Sequence, residues 1–260
     1  MFYTKIKNIF VSLRTIMAFF SKKMKIKLFT IPNMLTLGNL ACGASATIAL
    51  LGDGNFKLAF WLIVASAIFD FCDGFAARLL KSSSEIGVQL ESLADMVSFG
   101  LTPAVAMFCW YNKAPQMTQL PENIVTYGAY IMLIIAAFSA LRLAKFNVDD
   151  TQRAEFCGLP TPANGLFCLS LAMLANAGDI TIAKEIIVGI SIVMACLLIS
   201  PIRMFALKFH GFGWKNNVLR YIFILICLAI ITVFAKFAIP TIILLYIVIS
   251  TLRWAIKSRK

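Results

Sequence analysis

The sequence predicts an all-α fold: a polytopic membrane bundle of about eight transmembrane helices, preceded by an amphipathic interfacial helix at the N-terminus. Three observations carry that expectation. Of the 260 residues, 60% are hydrophobic and only 14% charged, whereas a soluble domain carries about a quarter charged residues. The apolar residues come in runs of roughly 17 to 23, the length that crosses ~30 Å of hydrocarbon. Finally, Lys and Arg fall overwhelmingly on one side when those runs are threaded back and forth.

The first 30 residues form a basic amphipathic segment. Lys5, Lys7, Arg14, Lys22, Lys23, Lys25 and Lys27 alternate with Ile, Phe, Leu and Val, and no signal-peptide cleavage pattern follows. Such a segment suits the surface of an anionic bilayer. Residues 31–260 then read as a single membrane domain. Its spans are expected near 33–51, 57–79, 93–111, 124–145, 163–177, 182–199, 220–236 and 238–256. Gly and Pro punctuate them, as in Gly52-Asp53-Gly54-Asn55, Gly178-Asp179 and Pro240 in the tight final hairpin.

With the N-terminus cytoplasmic, the inner side holds seven cations up to Lys27. Arg78 and Lys81 follow, then Arg142, Lys145 and Arg153, then Arg203, Lys208, Lys215 and Arg220, and finally Arg253, Lys257, Arg259 and Lys260. Only Lys57, Lys113, Lys184 and Lys236 remain for the outer side. Twenty against four places both termini in the cytoplasm. The same asymmetry accounts for the net charge of +12 without a nucleic-acid partner. The seven Cys form no Cys-x-x-Cys pair and sit mostly in apolar runs, as small packing residues rather than a disulfide or zinc framework.

Charge at membrane depth is costly and survives where it pairs, lines a polar cavity or binds an ion. Here it concentrates in Asp70-Phe71-Cys72-Asp73-Gly74-Phe75-Ala76-Ala77-Arg78 and in Gly87-Val88-Gln89-Leu90-Glu91-Ser92-Leu93-Ala94-Asp95. On helices, Asp70 and Asp73 share a face, as do Glu91 and Asp95. Two antiparallel helices can aim all four carboxylates into one cavity near the cytoplasmic leaflet. Four such groups repel unless a divalent ion holds them, and an all-oxygen site suits Mg²⁺, Mn²⁺ or Ca²⁺. Gly74 and Gly87 open space beside the acids, and Arg78 suits a phosphate. Metal, carboxylates and Arg together point to a diphosphate substrate clamped by two ions, with a carboxylate available as general base.

The spacing Asp-x-x-Asp-Gly-x-x-Ala-Arg, eight residues, then Gly-x-x-x-acid-x-x-x-Asp resembles the signature of the CDP-alcohol phosphatidyltransferases. The resemblance implies that Asp70, Asp73, Glu91 and Asp95 bind two cations, Mg²⁺ or Mn²⁺, with Ca²⁺ as a non-productive occupant. It implies Asp95 as the base, Gly74, Arg78 and Gly87 beside the CDP diphosphate, a homodimer, and a bacterial inner membrane. One position departs: the family's third acid is Asp and this chain has Glu91. The added methylene shifts the ligand oxygens, and Mg²⁺ tolerates little shift.

Three further stretches resemble the phosphatidylserine synthase branch: Ile31-Pro32-Asn33-Met34-Leu35-Thr36-Leu37-Gly38-Asn39, then Ser92-Leu93-Ala94-Asp95-Met96-Val97-Ser98-Phe99-Gly100, and Leu141-Arg142-Leu143-Ala144-Lys145-Phe146-Asn147 with Gly158-Leu159-Pro160-Thr161-Pro162. That branch implies CDP-diacylglycerol as donor and L-serine as acceptor, with CMP released. Arg142, Lys145 and Asn147 are the candidates for the serine. Thr36 and Asn39 either hydrogen-bond the nucleotide or diphosphate, or cap and pack the first span. Two alternatives stand beside this expectation. One is the same chemistry with glycerol 3-phosphate or an inositol phosphate as acceptor. The other is a cation- or proton-coupled transporter built on the same acids. Neither His210 nor the Gly-rich loop around it receives a role.

Overall fold

A computed structural model describes residues 28–82, 84–119, 121–149, 155–205 and 214–258. The expected N-terminal amphipathic helix lies outside the described residues. The described chain is mostly helical, and capping residues set where the first helices begin. Helix α1 (Ile31–Leu51) starts where Thr30 Oγ1 accepts the Asn33 N–H at 3.3 Å, with Pro32 in the first turn. Helix α2 (Phe56–Leu79) follows after a four-residue turn, capped by Asn55, whose side chain accepts from Leu58 N at 3.0 Å. Ser84 caps α3 (Glu85–Asp95), accepting from Gly87 N at 3.1 Å.

Helix α3 does not stop at Asp95. It runs through a π-helical segment, Met96–Leu101, into α4 (Thr102–Lys113). The expected third span, 93–111, therefore begins eight residues too late. The sequence Ser84-Glu85 carries a capping residue and a first-turn acid, and these start the helix well before its apolar stretch. Next come α5 (Glu122–Gly128), a 3₁₀ segment (Ala129–Leu133) and α6 (Ile134–Val148), then α7 (Thr161–Asn176) and α8 (Lys184–Ile199). Finally α9 (Trp214–Phe234) and α10 (Ala238–Ser258) flank a 3₁₀ turn, Ala235–Phe237.

Among the described residues, five continuous helical stretches are long and apolar enough to cross a membrane: 31–51, 56–79, 85–113, 122–148 and 220–257. The protein is thus an integral membrane protein by length and composition. Helices α7 and α8 coincide with two of the expected spans but have only 16 residues each. The all-α expectation also missed one feature. Strands β1 (Glu155–Cys157) and β2 (Arg203–Phe205) pair antiparallel, with Phe156 opposite Met204. Gly158, at φ +81°, closes this pairing, and its N–H reaches Ile202 O at 2.9 Å. A Cβ there would lie 2.2 Å from Leu198 O, so the turn admits only glycine.

The interior is mostly apolar with a polar stripe running through it, and the outer surface is apolar. Asn33, Thr36, Asn39, Asp73, Asp95, Ser98, Thr102 and Arg142 are buried, beside an apolar core that includes Phe99, Met107, Met132 and Ile187. Ile48, Ile68, Phe71, Val193 and Leu225 face outward, where lipid tails rather than water meet them. Helix α1 packs most extensively on α2 and also contacts α3, the π segment and α4. Gly43 makes that approach possible: a Cβ there would fall 2.2 Å from Ser98 Oγ and 2.7 Å from Ser98 Cα. Because a backbone atom blocks the space, Gly43→Ala must push α1 off the π segment. The expected loss is about 1–3 kcal/mol, read as a lowered thermal midpoint of the detergent-solubilised protein. An unchanged midpoint would contradict this packing.

Candidate active site

The site grows out of the face that α1 turns to the interior. Asn33, Thr36, Asn39 and Gly43 recur at helical spacing and are all buried. Thr36 Oγ1 lies 2.5 Å from Asp73 Oδ2 and 3.1 Å from Pro32 O. A hydroxyl has one proton, and the charged acceptor at the shorter distance takes it. One turn further along, Asn39 Nδ2 donates to Asp95 Oδ1 at 3.0 Å. Thus α1 holds one carboxylate of α2 and one of α3.

Ser66 and Ser98 hold Asn39 in turn. Ser66 Oγ, from α2, donates to Asn39 Oδ1, so the amide oxygen is occupied and its NH₂ must face Asp95. Ser98 Oγ, in the π segment, donates to the Asn39 main-chain oxygen at 3.1 Å. Thr102 Oγ1 reaches both Val97 O (2.9 Å) and Gly43 O (3.0 Å). Val97 O already accepts the Thr102 N–H, so the one hydroxyl proton of Thr102 is free for Gly43 O and ties the segment to α1.

Asp70, Asp73 and Glu91 come together, with a carboxylate oxygen from each within 4.8 Å of the others. Asp95 lies four residues beyond Glu91 on α3, more deeply buried than Asp70. All four predicted ligands therefore share one neighbourhood, three of them as a tight set. The residues fit a divalent cation by one specific sign. Asp73 Oδ1 is buried and has no hydrogen-bond partner. An unmet buried acceptor costs about 1–3 kcal/mol, and more if charged, which a bound ion would offset. Three oxygen donors in one place suit Mg²⁺ or Mn²⁺.

A cleft of about 80 Å³ opens beside the trio. Thr36, Asp73, Gly74, Gly87 and Glu91 line it. Asn39 does not; its amide is committed to Asp95. Arg78 is exposed, with its guanidinium 3.9 Å from where a Gly74 Cβ would be. Asn33, Ser82 and Ser84 line the cleft as well, although the sequence singled none of them out. Ser84 was legible as a cap before Glu85. Asn33, one residue past Pro32, looked like part of the helix start.

The three acceptor candidates separate. Arg142 is buried and donates through Nη1 to Thr161 Oγ1 at 3.2 Å, while its Nε is buried without a partner. It lies close enough to Asp95 to interact electrostatically. Lys145 is exposed and contacts Cys157 Sγ at 3.6 Å. Asn147 donates to Ser92 Oγ at 2.8 Å, tying the end of α6 to α3 next to Glu91.

Comparison with known proteins agrees with this geometry. The family profile described as CDP-alcohol phosphatidyltransferase matches residues 29–200. A Helicobacter pylori protein named CDP-diacylglycerol--serine O-phosphatidyltransferase is 28% identical over 231 residues, covering 87% of this chain and 92% of that one. A Methanocaldococcus jannaschii protein of the same name is 32% identical over 79% of this chain and 85% of its own. A Bacillus subtilis protein, also so named, is 35% identical over 56% and 77%.

Calorimetric titration of the solubilised protein with Mn²⁺ should show binding that Asp73→Asn weakens by about 10- to 100-fold. Thr36→Val, which removes only the orienting hydroxyl, should weaken it by about 10-fold. Equal affinity in wild type and Asp73→Asn would remove this carboxylate from the ion site.

Proposed function

The chain belongs to the CDP-alcohol phosphatidyltransferase family, and on that premise we propose that it moves the phosphatidyl group of CDP-diacylglycerol to the hydroxyl of L-serine, releasing CMP. The observation that carries the reaction class is the Asp70, Asp73 and Glu91 trio with an unsatisfied Asp73 oxygen, set beside an open cleft. The names of the relatives support the serine acceptor, as does the position of Arg142 near Asp95.

In this reading Asp70, Asp73, Glu91 and Asp95 hold two divalent ions, which when bound neutralise the CDP diphosphate and the departing phosphate. Gly74 and Gly87 leave room for the nucleotide, and Arg78 at the cleft's edge supplies a fixed positive charge. Arg142 receives the serine carboxylate through its free Nε. Asn164, one turn along α7 from Thr161, has a buried Nδ2 with no partner and offers a second donor. With the carboxylate so held, the serine hydroxyl is directed at Asp95. Asp95 takes the hydroxyl proton as the serine oxygen bonds to the lipid-linked phosphorus, and the bond from that phosphorus to the CMP oxygen breaks. Asn39, locked by Ser66, keeps one Asp95 oxygen occupied and so orients the other.

The expected topology completes the picture: eight crossings, both termini inside, and the carboxylates at the cytoplasmic leaflet of a bacterial inner membrane. The lysine and arginine count supports it. On this reading α7 and α8, each only 16 residues long, cross a locally thin or deformed bilayer. The homodimer rests on the family resemblance, and the mass of the solubilised protein reads it directly.

CMP release from CDP-diacylglycerol and labelled serine, with Mg²⁺ or Mn²⁺, tests the reaction. Asp95→Asn should lower kcat by about 10²–10⁴-fold and, as an ion ligand, also raise KM for the CDP-lipid, whereas Ser66→Ala should lower kcat by a smaller factor of about 10 with KM for both substrates nearly unchanged. Full activity in Asp95→Asn would reject it as the base. Arg142→Met should raise KM for serine by at least about 10-fold, from loss of a charge-assisted contact, and leave KM for the CDP-lipid unchanged. Faster turnover with glycerol 3-phosphate than with serine would move the assignment to a different acceptor.

A further inference from the structure

At the end of the bundle away from the carboxylates, a second groove of about 520 Å³ opens between the start of α2, the end of α7 and the α9–α10 turn. Phe60, Trp61, Met173 and Ile239 give it apolar walls, and Lys57 and Lys236 also line it. Lys57 and Trp61 are four residues apart on α2 and share a face. Lys236 is set by a turn in which Ala235 adopts φ +43°, a left-handed conformation that costs a non-glycine residue energy. Lys236 pairs with Asp179. Among the described residues no carboxylate pairs with Lys57.

Asn176 lines this groove and also an adjoining cavity of about 270 Å³, where Lys113 Nζ donates to its Oδ1 at 2.9 Å. Three of the four lysines that the charge count leaves on the outer side therefore border two cavities that share Asn176. Lone interfacial lysines acting as anchors would have no reason to converge in this way. A wall of Trp and Ile with a cationic edge, at the level of helix ends, matches a lipid that has an acyl chain and a negative headgroup. A small soluble anion would gain nothing from the apolar walls.

We propose that this groove seats an anionic membrane phospholipid, its phosphate between Lys57 and Lys236 and one acyl chain along Trp61 and Ile239. The headgroup competes with Asp179 for Lys236 and neutralises Lys57. A zwitterionic headgroup brings its own cation against the lysines and binds less well. The site shares no residue with the carboxylate cluster, so it stands independently of the reaction assigned above.

The test uses the full chain in phosphatidylcholine vesicles that contain a small fraction of lipid with brominated acyl chains. Quenching at Trp61 is the fluorescence difference between wild type and Trp61→Phe. Brominated phosphatidylglycerol should quench Trp61 about fivefold more effectively than brominated phosphatidylcholine at the same mole fraction. The double variant Lys57→Gln/Lys236→Gln should lose that preference, and Lys57→Arg/Lys236→Arg should keep it. Lys57→Gln alone, which leaves the Lys236–Asp179 pair intact, should reduce the preference even if the double variant fails to fold. Added inorganic phosphate should leave the quenching unchanged. Equal quenching by the two brominated lipids, a preference that survives Lys57→Gln, or displacement by inorganic phosphate would each overturn the proposal. CMP release by Lys57→Gln stays at the wild-type level, which separates this test from that of the reaction.

Discussion

Two hydrogen bonds from one face of α1 organise the interior of this protein: Thr36 to Asp73 and Asn39 to Asp95. Each joins a neutral donor to a carboxylate inside a membrane bundle, where a charge without partners is expensive. They bring α1, α2 and α3 into one register, since a donor on α1 that slipped by a residue would turn away from its acid. Much else follows from keeping that register. Gly43 has no side chain, so the π segment can lie against α1. Ser66 and Ser98 donate to the side-chain and main-chain oxygens of Asn39. The widened turn at Met96–Leu101 resumes regular helix at Thr102, whose hydroxyl closes back onto Gly43.

This arrangement divides the carboxylates by degree of satisfaction. Asp95 accepts from Asn39 on one oxygen. Asp73 has Thr36 on one oxygen and nothing on the other. A bundle selected only for stability would have paired that oxygen or replaced the residue, because an unmet buried acceptor is a direct loss. Its retention beside Asp70 and Glu91 is what a bound cation explains. The same logic applies to Arg142, where Nη1 is committed to Thr161 and Nε is left open. Both open atoms are buried in the interior, one on α2 and one on α6.

The far end of the bundle follows different physics. There the polar groups sit at helix ends and turns, and lysines extend over aromatic rings: Lys113 above Phe56 at 4.8 Å and Lys184 above Tyr111 at 5.2 Å. Cations at this level are partly solvated and cheap to hold. Each of these two lysines lies over a buried ring of the bundle itself.

The helical and membrane character of the chain and the clustering of Asp70, Asp73 and Glu91 were legible in the amino-acid sequence, because run length and i, i+3 or i, i+4 spacing are local properties. Locality also explains what was misplaced. The start of α3 at Glu85 was hidden because its first turns are polar, and hydropathy sees only the apolar part. The β1–β2 pair joins residues nearly fifty positions apart, and each strand is only three residues long, too short to show a period. Thr36 and Asn39 looked equivalent in sequence, both polar and one turn apart. Only packing decided that Thr36 borders the cleft while Asn39 faces Asp95. Packing likewise put Arg142 inside, left Lys145 outside and turned Asn147 toward Ser92. Sequence by itself determined which residues carry charge into the membrane. Tertiary structure decided which of their atoms remain free to act, since that depends on the partners that neighbouring helices bring to each atom.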